Sequence, residues 1–371
     1  MLTYCYYMYT VGPHRQRGSS DITAAVKSWL GSRARSCRPS AAMVPLALAS
    51  FALATMPPAR ITLVGGTHGN EYTGVYVIQQ LEPQLEALRL RHPSLRVETL
   101  LANPKAFYDN RRFVDDDLNR QFSRSRLGQE VKADAPYEVH RARDVVELLG
   151  PKGPKALCDM CIDLHTTTAN MGCTLIVNSY CALALRVAAY LQSVWEHDVA
   201  GSSTPSSHPL RVYVHDVTQE EAPYLSSVAQ AGITIEVGPT PQGLLRSDAV
   251  AATRRAVDLI LHYLELHFDG RAPEPPCSLR AYVDKGKVPW PEAAGGSQLP
   301  GALVAASLQD RDFQPLCAGE RMFERPDGSS VDYDGSCGPV AYPIFVNEAA
   351  YYYAQSGRGI VLTSLVDWPV E

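Results

Sequence analysis

Short apolar runs alternate with segments of helical periodicity along most of this chain. The first run, Ile61 to Val64, is aliphatic apart from one threonine and has the length of a buried strand. From Tyr72 to Leu90, apolar residues recur at the spacing of one helix face. Further strands are predicted at 95–101, 160–165, 173–177, 211–214 and 232–237, and further helices at 134–149, 182–194 and 247–268. This alternation predicts an α/β fold.

The pattern changes after a proline-rich stretch at residues 269–276. Beyond it the strand-like runs are short, Gly, Pro and Asp separate them, and helical periodicity is weak. We therefore expect an α/β domain at 59–270, followed by a smaller β-rich domain at 271–371. A chain of 371 residues is long enough to give each domain a core of its own.

The first 58 residues differ in composition from the rest. They carry one acidic residue, Asp21, against these basic residues: Arg15, Arg17, Lys27, Arg33, Arg35 and Arg38. A basic, serine-rich segment is typical of an organellar transit peptide, and the apolar run 43–55 resembles the hydrophobic region of a signal peptide. A third interpretation is a wrongly included upstream start codon, with Met56 as the true first residue. All three stay open, and we leave 1–58 out of the predicted fold.

Charge and cysteine content narrow the class of protein. A net charge of −5 argues against a nucleic-acid-binding surface, and no apolar run reaches the length of a membrane span. The nine cysteines lack the spacing of a disulfide framework, which favours reduced thiols inside a cell. We expect a cytoplasmic protein, or a mitochondrial or plastid protein if the N-terminal segment is a transit peptide. Cys158 and Cys161 form a CxxC, but no second CxxC follows at zinc-ribbon spacing, and we assign both to packing.

Two histidines and a glutamate stand where predicted strands end. His68 and Glu71 follow the first strand after a Gly-Gly turn, and His165 ends the strand at 160–165. Open α/β sheets keep their sites at the carboxyl ends of strands, so we expect these side chains to converge. Three protein ligands with a fourth position open for water are the pattern of a catalytic zinc site, with Asp163 placed to orient His165. The competing interpretation, hydrogen-bonded core or turn histidines, fits an isolated histidine better than this group.

Two further features suggest a substrate site. The loop 108–120 contains Arg112, Asn119 and Arg120, whose forked and amide groups are able to hold a carboxylate; a solvated surface loop is an equal alternative. Glu236 lies among apolar neighbours in a predicted strand, where a carboxylate is unfavourable unless it is paired or used. We favour a general base beside the metal site over a salt-bridged core residue.

Other aromatic and imidazole side chains carry no functional signal by themselves. The tyrosine-rich segment 342–353 is more typical of a core or an interface than of a site. The remaining histidines are not part of a group like His68, Glu71 and His165, and we assign them to the surface or to packing: His14, His92, His140, His197, His208, His215, His262 and His267.

Six blocks of this sequence resemble the aspartoacylase/aminoacylase-3 family. They occur in family order between Arg60 and Tyr353, at 65–71, 117–120, 163–165, 170–175, 235–239 and 346–351. This family has a zinc-carboxypeptidase-like catalytic domain, with a mixed sheet flanked by helices, followed by a β-rich C-terminal domain, and it hydrolyses N-acyl amino acids. The resemblance therefore implies the same α/β architecture and the same class of small-molecule substrate.

The resemblance also implies roles at the metal. One Zn²⁺ per subunit would be held by His68, Glu71 and His165. Glu236 would contact the substrate and act as the proton shuttle, which takes a proton from water and later gives it to the leaving amine.

Four other residues receive substrate-binding roles from the resemblance. Arg112 would polarise the amide carbonyl and stabilise its oxyanion. Asn119 and Arg120 would hold the α-carboxylate of the substrate, and Tyr351 from the second domain would line the site.

The chain departs from the family at two positions. Aspartate-specific members carry an arginine upstream of the catalytic glutamate, whereas Ser226 stands nearest that position here. A buried carboxylate without a cationic partner binds poorly, which favours neutral or aromatic amino acids, although Arg211 or Arg246 could substitute. Thr166 also replaces the asparagine that usually follows the zinc histidine, which affects the fine geometry of that ligand.

The sequence thus predicts a zinc-dependent amidohydrolase that releases acetate and the free amino acid from N-acyl-L-amino acids, with a preference for neutral or aromatic ones. The alternatives are an aspartoacylase proper, a carboxypeptidase-type enzyme or succinyl-amino-acid deacylase, and a catalytically silent binding protein on the same scaffold. A homo-oligomer is left open.

Overall fold

The computed structural model of this chain describes residues 57–200, 208–293, 299–353 and 358–371, without the side chains of 196–200. Residues Met56–Glu371 form one compact unit. The predictions made for residues 1–56 lie outside the described residues.

A mixed sheet runs through this unit, and ten strands of the described residues belong to it. Its strand order is β2 (Leu95–Leu101), β1 (Ala59–Gly65), β3 (Met160–Thr166), β6 (Ala231–Gly238), β4 (Gly172–Asn178), β5 (Leu210–His215), β7 (Ser278–Val288), β13 (Ile360–Pro369), β12 (Val340–Ile344) and β9 (Leu316–Cys317). The four strands β2, β1, β3 and β6 are parallel, whereas β4 is antiparallel to β6. A separate small sheet contains β8 (Leu303–Val304), β10 (Arg321–Glu324) and β11 (Ser330–Asp332).

Helices cover both faces of the large sheet. They are α1 (Tyr72–Leu81), α2 (Leu85–Arg91), α3 (Pro104–Tyr108), α4 (Arg124–Leu127), α5 (Tyr137–Leu149), α6 (Ala182–Ala200) and α7 (Ser247–Phe268). Successive residues of a strand point to opposite faces. In β3, Ile162 therefore joins the core under α1, α6 and α7, while Cys161 joins a second core that includes α5. Cys158 is buried in this second core as well, in agreement with a packing role.

The observed elements match most of the predicted ones within a few residues, and prolines account for two differences. The helix predicted over 72–90 is two helices joined by a 3₁₀ turn at Glu82–Gln84, because Pro83 has no N–H to continue the α-helical bonds. The helix predicted from 134 begins at Tyr137, directly after Pro136.

The C-terminal part of the chain is β-rich, as predicted, and continues the sheet. β7 pairs in parallel with β5 through Tyr213 opposite Tyr282, and β13 pairs antiparallel with β7. Both strands contribute side chains to a further apolar cluster that includes Phe323 and Tyr333. Because no break in the sheet separates the two parts, the domain boundary near residue 270 stays a prediction. None of the helices in the described residues is long and apolar enough to cross a membrane.

Candidate metal centre and substrate cavity

The carboxyl ends of β1, β3 and β6 gather the candidate site. Two glycines allow the loop after β1 to turn into α1. Gly66 has a φ of +69°, and a Cβ on Gly69 would lie 2.1 Å from the carbonyl carbon of Ala106. On the neighbouring strands, His165 of β3 stands directly opposite Glu236 of β6. The strand order therefore brings together residues that are far apart in sequence.

His68, Glu71 and His165 converge, as the sequence predicts, and all three are buried. The Nδ1 atom of His68 lies 2.7 Å from Oε1 of Glu71, and Nδ1 of His165 lies 2.9 Å from Oε2 of the same carboxylate. The two Nδ1 atoms are 3.2 Å apart. Three donor atoms thus point at one small volume.

An aspartate contacts each of the two imidazoles. Oδ2 of Asp163 lies 2.8 Å from Nε2 of His165, and its other oxygen accepts a bond of 2.7 Å from the Thr67 hydroxyl. Oδ1 of Asp117 lies 3.1 Å from Nε2 of His68. When Nε2–H of His165 is donated to Asp163, Nδ1 of His165 keeps its lone pair for the centre of the cluster.

The donor set suits a divalent metal ion. The candidate ligand atoms of the three residues lie within 4.8 Å of one another, and two nitrogens with one carboxylate oxygen are ligands that zinc accepts. Burial opposes the charged form of His165, yet Asp163 and Glu71 outweigh it and hold the pKa of His165 well above its usual range.

Arg112 lies against this cluster. Its Nη1 donates to Oε1 of Glu71 at 3.0 Å, and its Nη2 lies 2.8 Å from Nε2 of His68. The guanidinium also forms an ion pair of 3.5 Å with Asp117. Although burial opposes its charge, Asp117 and Glu71 raise the pKa of Arg112, so that a fixed positive charge stands beside the candidate ligands.

Asn119 and Arg120 line the same cavity from a 3₁₀ turn at Leu118–Arg120. Oδ1 of Asn119 accepts a hydrogen bond of 2.9 Å from the backbone N–H of Leu225, which leaves its NH₂ group as the edge available to a ligand. Nη1 of Arg120 donates to the Asn119 carbonyl at 2.9 Å, and its guanidinium lies 5.6 Å over the ring of Tyr224.

Glu236 lines the cavity and is 8% exposed. Burial raises the pKa of its carboxyl well above the usual range. The positive charges of His165 and Arg112 lower this pKa, whereas the negative charges of Glu71 and Glu348 raise it further. A bound dication would act in the opposite direction and favour the carboxylate.

The C-terminal part of the chain supplies another wall of the cavity. Tyr351, which lines it, is held in a 3₁₀ turn at Ala349–Tyr352. Burial raises the pKa of Tyr351 to about 12, against the opposite effect of Arg358. Glu348, at the start of this turn, is buried and accepts hydrogen bonds from the loop that follows His165.

The structure thus brings every residue predicted for the site to one cavity. It also places there several residues to which the sequence assigned no role: Tyr213, His215, Tyr224, Asp284, Lys287, Glu348 and Arg358. His215 was assigned to the surface or to packing. Because it ends β5, its position at a strand end was the signal that could have identified it.

The proposed replacements for the missing arginine lie elsewhere. Ser226 does line the cavity, with its Oγ 3.2 Å from Oγ1 of Thr234. Within the described chain, neither Arg211 nor Arg246 lines it. The Arg211 guanidinium lies 4.8 Å over the ring of Phe313, and Arg246 pairs with Asp248 at the surface at 2.6 Å.

Comparisons with known proteins agree with this architecture. Residues 57–264 match the family model described as the succinylglutamate desuccinylase/aspartoacylase catalytic domain, and residues 277–358 match the barrel-sandwich hybrid domain of the same family. The chain is 39% identical over 298 residues to a human N-acyl-aromatic-L-amino acid amidohydrolase (carboxylate-forming), covering 80% of this chain and 88% of the relative. It is 35% identical over 301 residues to mouse aspartoacylase, covering 81% of this chain and 91% of the relative.

The fold matches that of a solved relative. The crystal structure of murine aminoacylase 3 superposes with a TM-score of 0.74 at 35% sequence identity, covering 85% of this chain and 98% of that one. The predicted family and the predicted mixed α/β fold with a β-rich C-terminal region are therefore confirmed. By its sequence, its fold and its buried His-Glu-His cluster, the chain belongs to the succinylglutamate desuccinylase/aspartoacylase family of hydrolases.

Proposed function

We propose that this protein is a zinc-dependent amidohydrolase that splits N-acyl-L-amino acids into a carboxylate and the free amino acid, with a preference for neutral and aromatic amino acids. The convergence of His68, Glu71 and His165 in a cavity that also contains Arg112 and Glu236 carries the proposal.

Zinc held by His68, Glu71 and His165 would supply Lewis-acid activation of water and of the amide carbonyl. Asp163 supports that ligand set, because its contact with Nε2 of His165 keeps the Nδ1 lone pair of that ring directed inward.

Glu236 is the proposed proton carrier. Its carboxylate stands across from His165 on the next strand, lines the cavity, and forms no hydrogen bond to a residue that the structure describes. An acceptor without a structural partner is available to take a proton from the attacking water. The protonated acid then gives that proton to the amide nitrogen as the C–N bond breaks.

Arg112 and the 3₁₀ turn at Leu118–Arg120 would hold the substrate. Arg112 is already fixed by Glu71 and Asp117, so it is placed to donate to the carbonyl oxygen as negative charge grows there. The NH₂ of Asn119 and the guanidinium of Arg120 would hold the α-carboxylate, which sets the acyl carbon relative to the metal.

The preference for neutral and aromatic substrates has two supports. Ser226 offers only a hydroxyl at the position where an aspartate-specific enzyme would need a cation for the side-chain carboxylate of its substrate. Tyrosines and Phe345 also line the cavity. The human relative is named as an N-acyl-aromatic-L-amino acid amidohydrolase.

An aspartoacylase is the second candidate. Lys287 and Arg358 also line the cavity, and either cation could pair with the side-chain carboxylate of N-acetyl-aspartate. Mouse aspartoacylase is a relative of nearly equal similarity.

A rate comparison tests the proposal. Zinc-loaded protein is assayed with N-acetyl-L-aspartate and N-acetyl-L-tyrosine, and released acetate and amino acid are both quantified. A higher kcat/KM for the tyrosine derivative supports the proposal, and preference for aspartate selects the second candidate. Release of neither product, together with hydrolysis of N-succinyl amino acids, would assign the protein to the desuccinylases.

A further inference from the structure

Three aromatic rings that the sequence did not assign to the site form one wall of the cavity. The ring of Tyr224 stacks on that of His215, with centroids 5.0 Å apart and planes at 26°. His215 in turn meets Tyr213 edge to face, at 4.5 Å and 82°. All three rings line the cavity that contains the candidate metal ligands.

The imidazole of His215 lacks a hydrogen-bond partner among the described residues. Neither ring nitrogen forms a hydrogen bond with a described residue, and Nδ1 is buried. Burial lowers the pKa of His215 to about 3, with Arg358, Arg120 and Lys287 acting in the same direction. A neutral imidazole retains one donor and one acceptor, and a polar group at such a position gains free energy when a ligand bonds to it.

Two neighbouring hydroxyl groups are already engaged. The Tyr213 hydroxyl donates to Asp284 at 3.2 Å, and Ser226 shares a contact of 3.2 Å with Thr234. Neither His215 nor the Tyr224 hydroxyl forms a hydrogen bond with a described residue, so a ligand can bond to either group without displacing a protein contact.

The wall adjoins the group proposed to hold the α-carboxylate. The Arg120 guanidinium lies 5.6 Å over the Tyr224 ring. The α-carboxylate and the side chain of an amino acid share one carbon. A substrate whose carboxylate binds Arg120 can therefore place its side chain beside Tyr224, with the end of that side chain toward His215.

We propose that Tyr224 and His215 determine specificity, with Tyr224 packing against an aromatic side chain and His215 bonding a polar group on that ring. The enzyme then selects N-acyl-tyrosine over N-acyl-phenylalanine. This inference rests on the proposed amidohydrolase function and names the side chains that its site accepts.

The test compares kcat/KM for N-acetyl-L-tyrosine and N-acetyl-L-phenylalanine on zinc-loaded protein. One hydrogen bond predicts a ratio of about 10 in favour of tyrosine for the unmodified chain. His215→Phe keeps a ring and removes the polar nitrogens, so the ratio should fall to about 1. His215→Gln, which can still hydrogen-bond, should keep a ratio above that of the Phe variant. His262→Phe, on α7 and outside the cavity lining, is the matched control and should leave the ratio as it is.

Calorimetric binding of the same two compounds to zinc-loaded Glu236→Gln separates this inference from the proposed function. Tighter binding of the tyrosine derivative, lost in the double variant with His215→Phe, supports the subsite even when no compound is hydrolysed. Three outcomes would overturn the assignment. They are hydrolysis of both compounds at equal rates, a preference for the tyrosine derivative that survives His215→Phe, and faster turnover of N-acetyl-aspartate.

Discussion

The carboxylate of Glu348 accepts two hydrogen bonds from Thr168, one from its backbone N–H at 2.9 Å and one from its hydroxyl at 3.1 Å. It also accepts the Thr167 hydroxyl and the backbone N–H of Ala350, the latter at 2.9 Å. Thr168 closely follows His165 at the end of β3, whereas Glu348 belongs to the β-rich C-terminal region. One buried carboxylate thus joins the segment that carries Tyr351 to the loop beside the candidate metal ligands.

Replacement of Glu348 by Ala should destabilise the protein. The change leaves several buried donors unpaired, and we expect the free energy of unfolding to fall by about 3 kcal/mol. Urea denaturation measures this loss. Glu130→Ala, at an exposed position, is the control and should change stability little. Equal stability of both variants would show that the Glu348 bonds contribute nothing.

His165→Ala should remove the metal along with the activity. The variant loses one of three candidate ligands, and we expect zinc content per chain to fall well below one and turnover to disappear. Elemental analysis after dialysis, combined with the N-acetyl-tyrosine assay, measures both. A variant that keeps stoichiometric zinc and full activity would exclude His165 as a ligand.

Asp163→Asn should weaken the metal site without removing a ligand. A neutral amide holds the Nε2–H tautomer of His165 less firmly than a carboxylate does, so zinc affinity should fall about 10- to 100-fold. Competition with a chromogenic chelator measures the affinity. Unchanged affinity would mean that the 2.8 Å contact between Asp163 and His165 does not orient the ring.

Glu236→Gln separates metal binding from proton transfer. Zinc content should stay at the level of the unmodified protein, because Glu236 is not among the three candidate ligands. The kcat should fall by about 10²- to 10⁴-fold, since the amide cannot carry the proton. Near-normal turnover would remove Glu236 as the base.

Lys152 should make stability depend on pH. Its Nζ donates to the carbonyls of Phe122 and Ala222 at 2.8 and 2.5 Å and to the Ser227 hydroxyl at 2.7 Å. Burial lowers the pKa of Lys152 from 10.5 to about 7. The unfolded chain therefore binds more protons between pH 7 and 10.5, and stability rises with pH across that window.

Lys152→Met, which cannot titrate, is the reference for this measurement. The free energy of unfolding of the unmodified protein, relative to Lys152→Met, should increase from pH 7 to pH 10. If the difference in free energy of unfolding does not change with pH, the three acceptors keep the Lys152 ammonium charged throughout the range.

Local patterns in the sequence were sufficient for the α/β architecture and for the principal site residues. Hydrophobic periodicity depends on the immediate neighbours of each residue, so α7 could be predicted at its observed limits, Ser247–Phe268. His68, Glu71 and His165 were identifiable because each stands at the end of a strand in a fold that keeps its sites there. The roles of these residues stay predictions.

Only the tertiary structure decided which distant residues meet. Nothing near His215 in the sequence indicates that it stacks on Tyr224, because that contact depends on how the loop after β5 folds back. The bond between Glu348 and Thr168 depends on β7 and β13 extending the sheet beyond β5. Periodicity reports which face of an element is buried, but the partner of that face is selected by the packing of the whole chain.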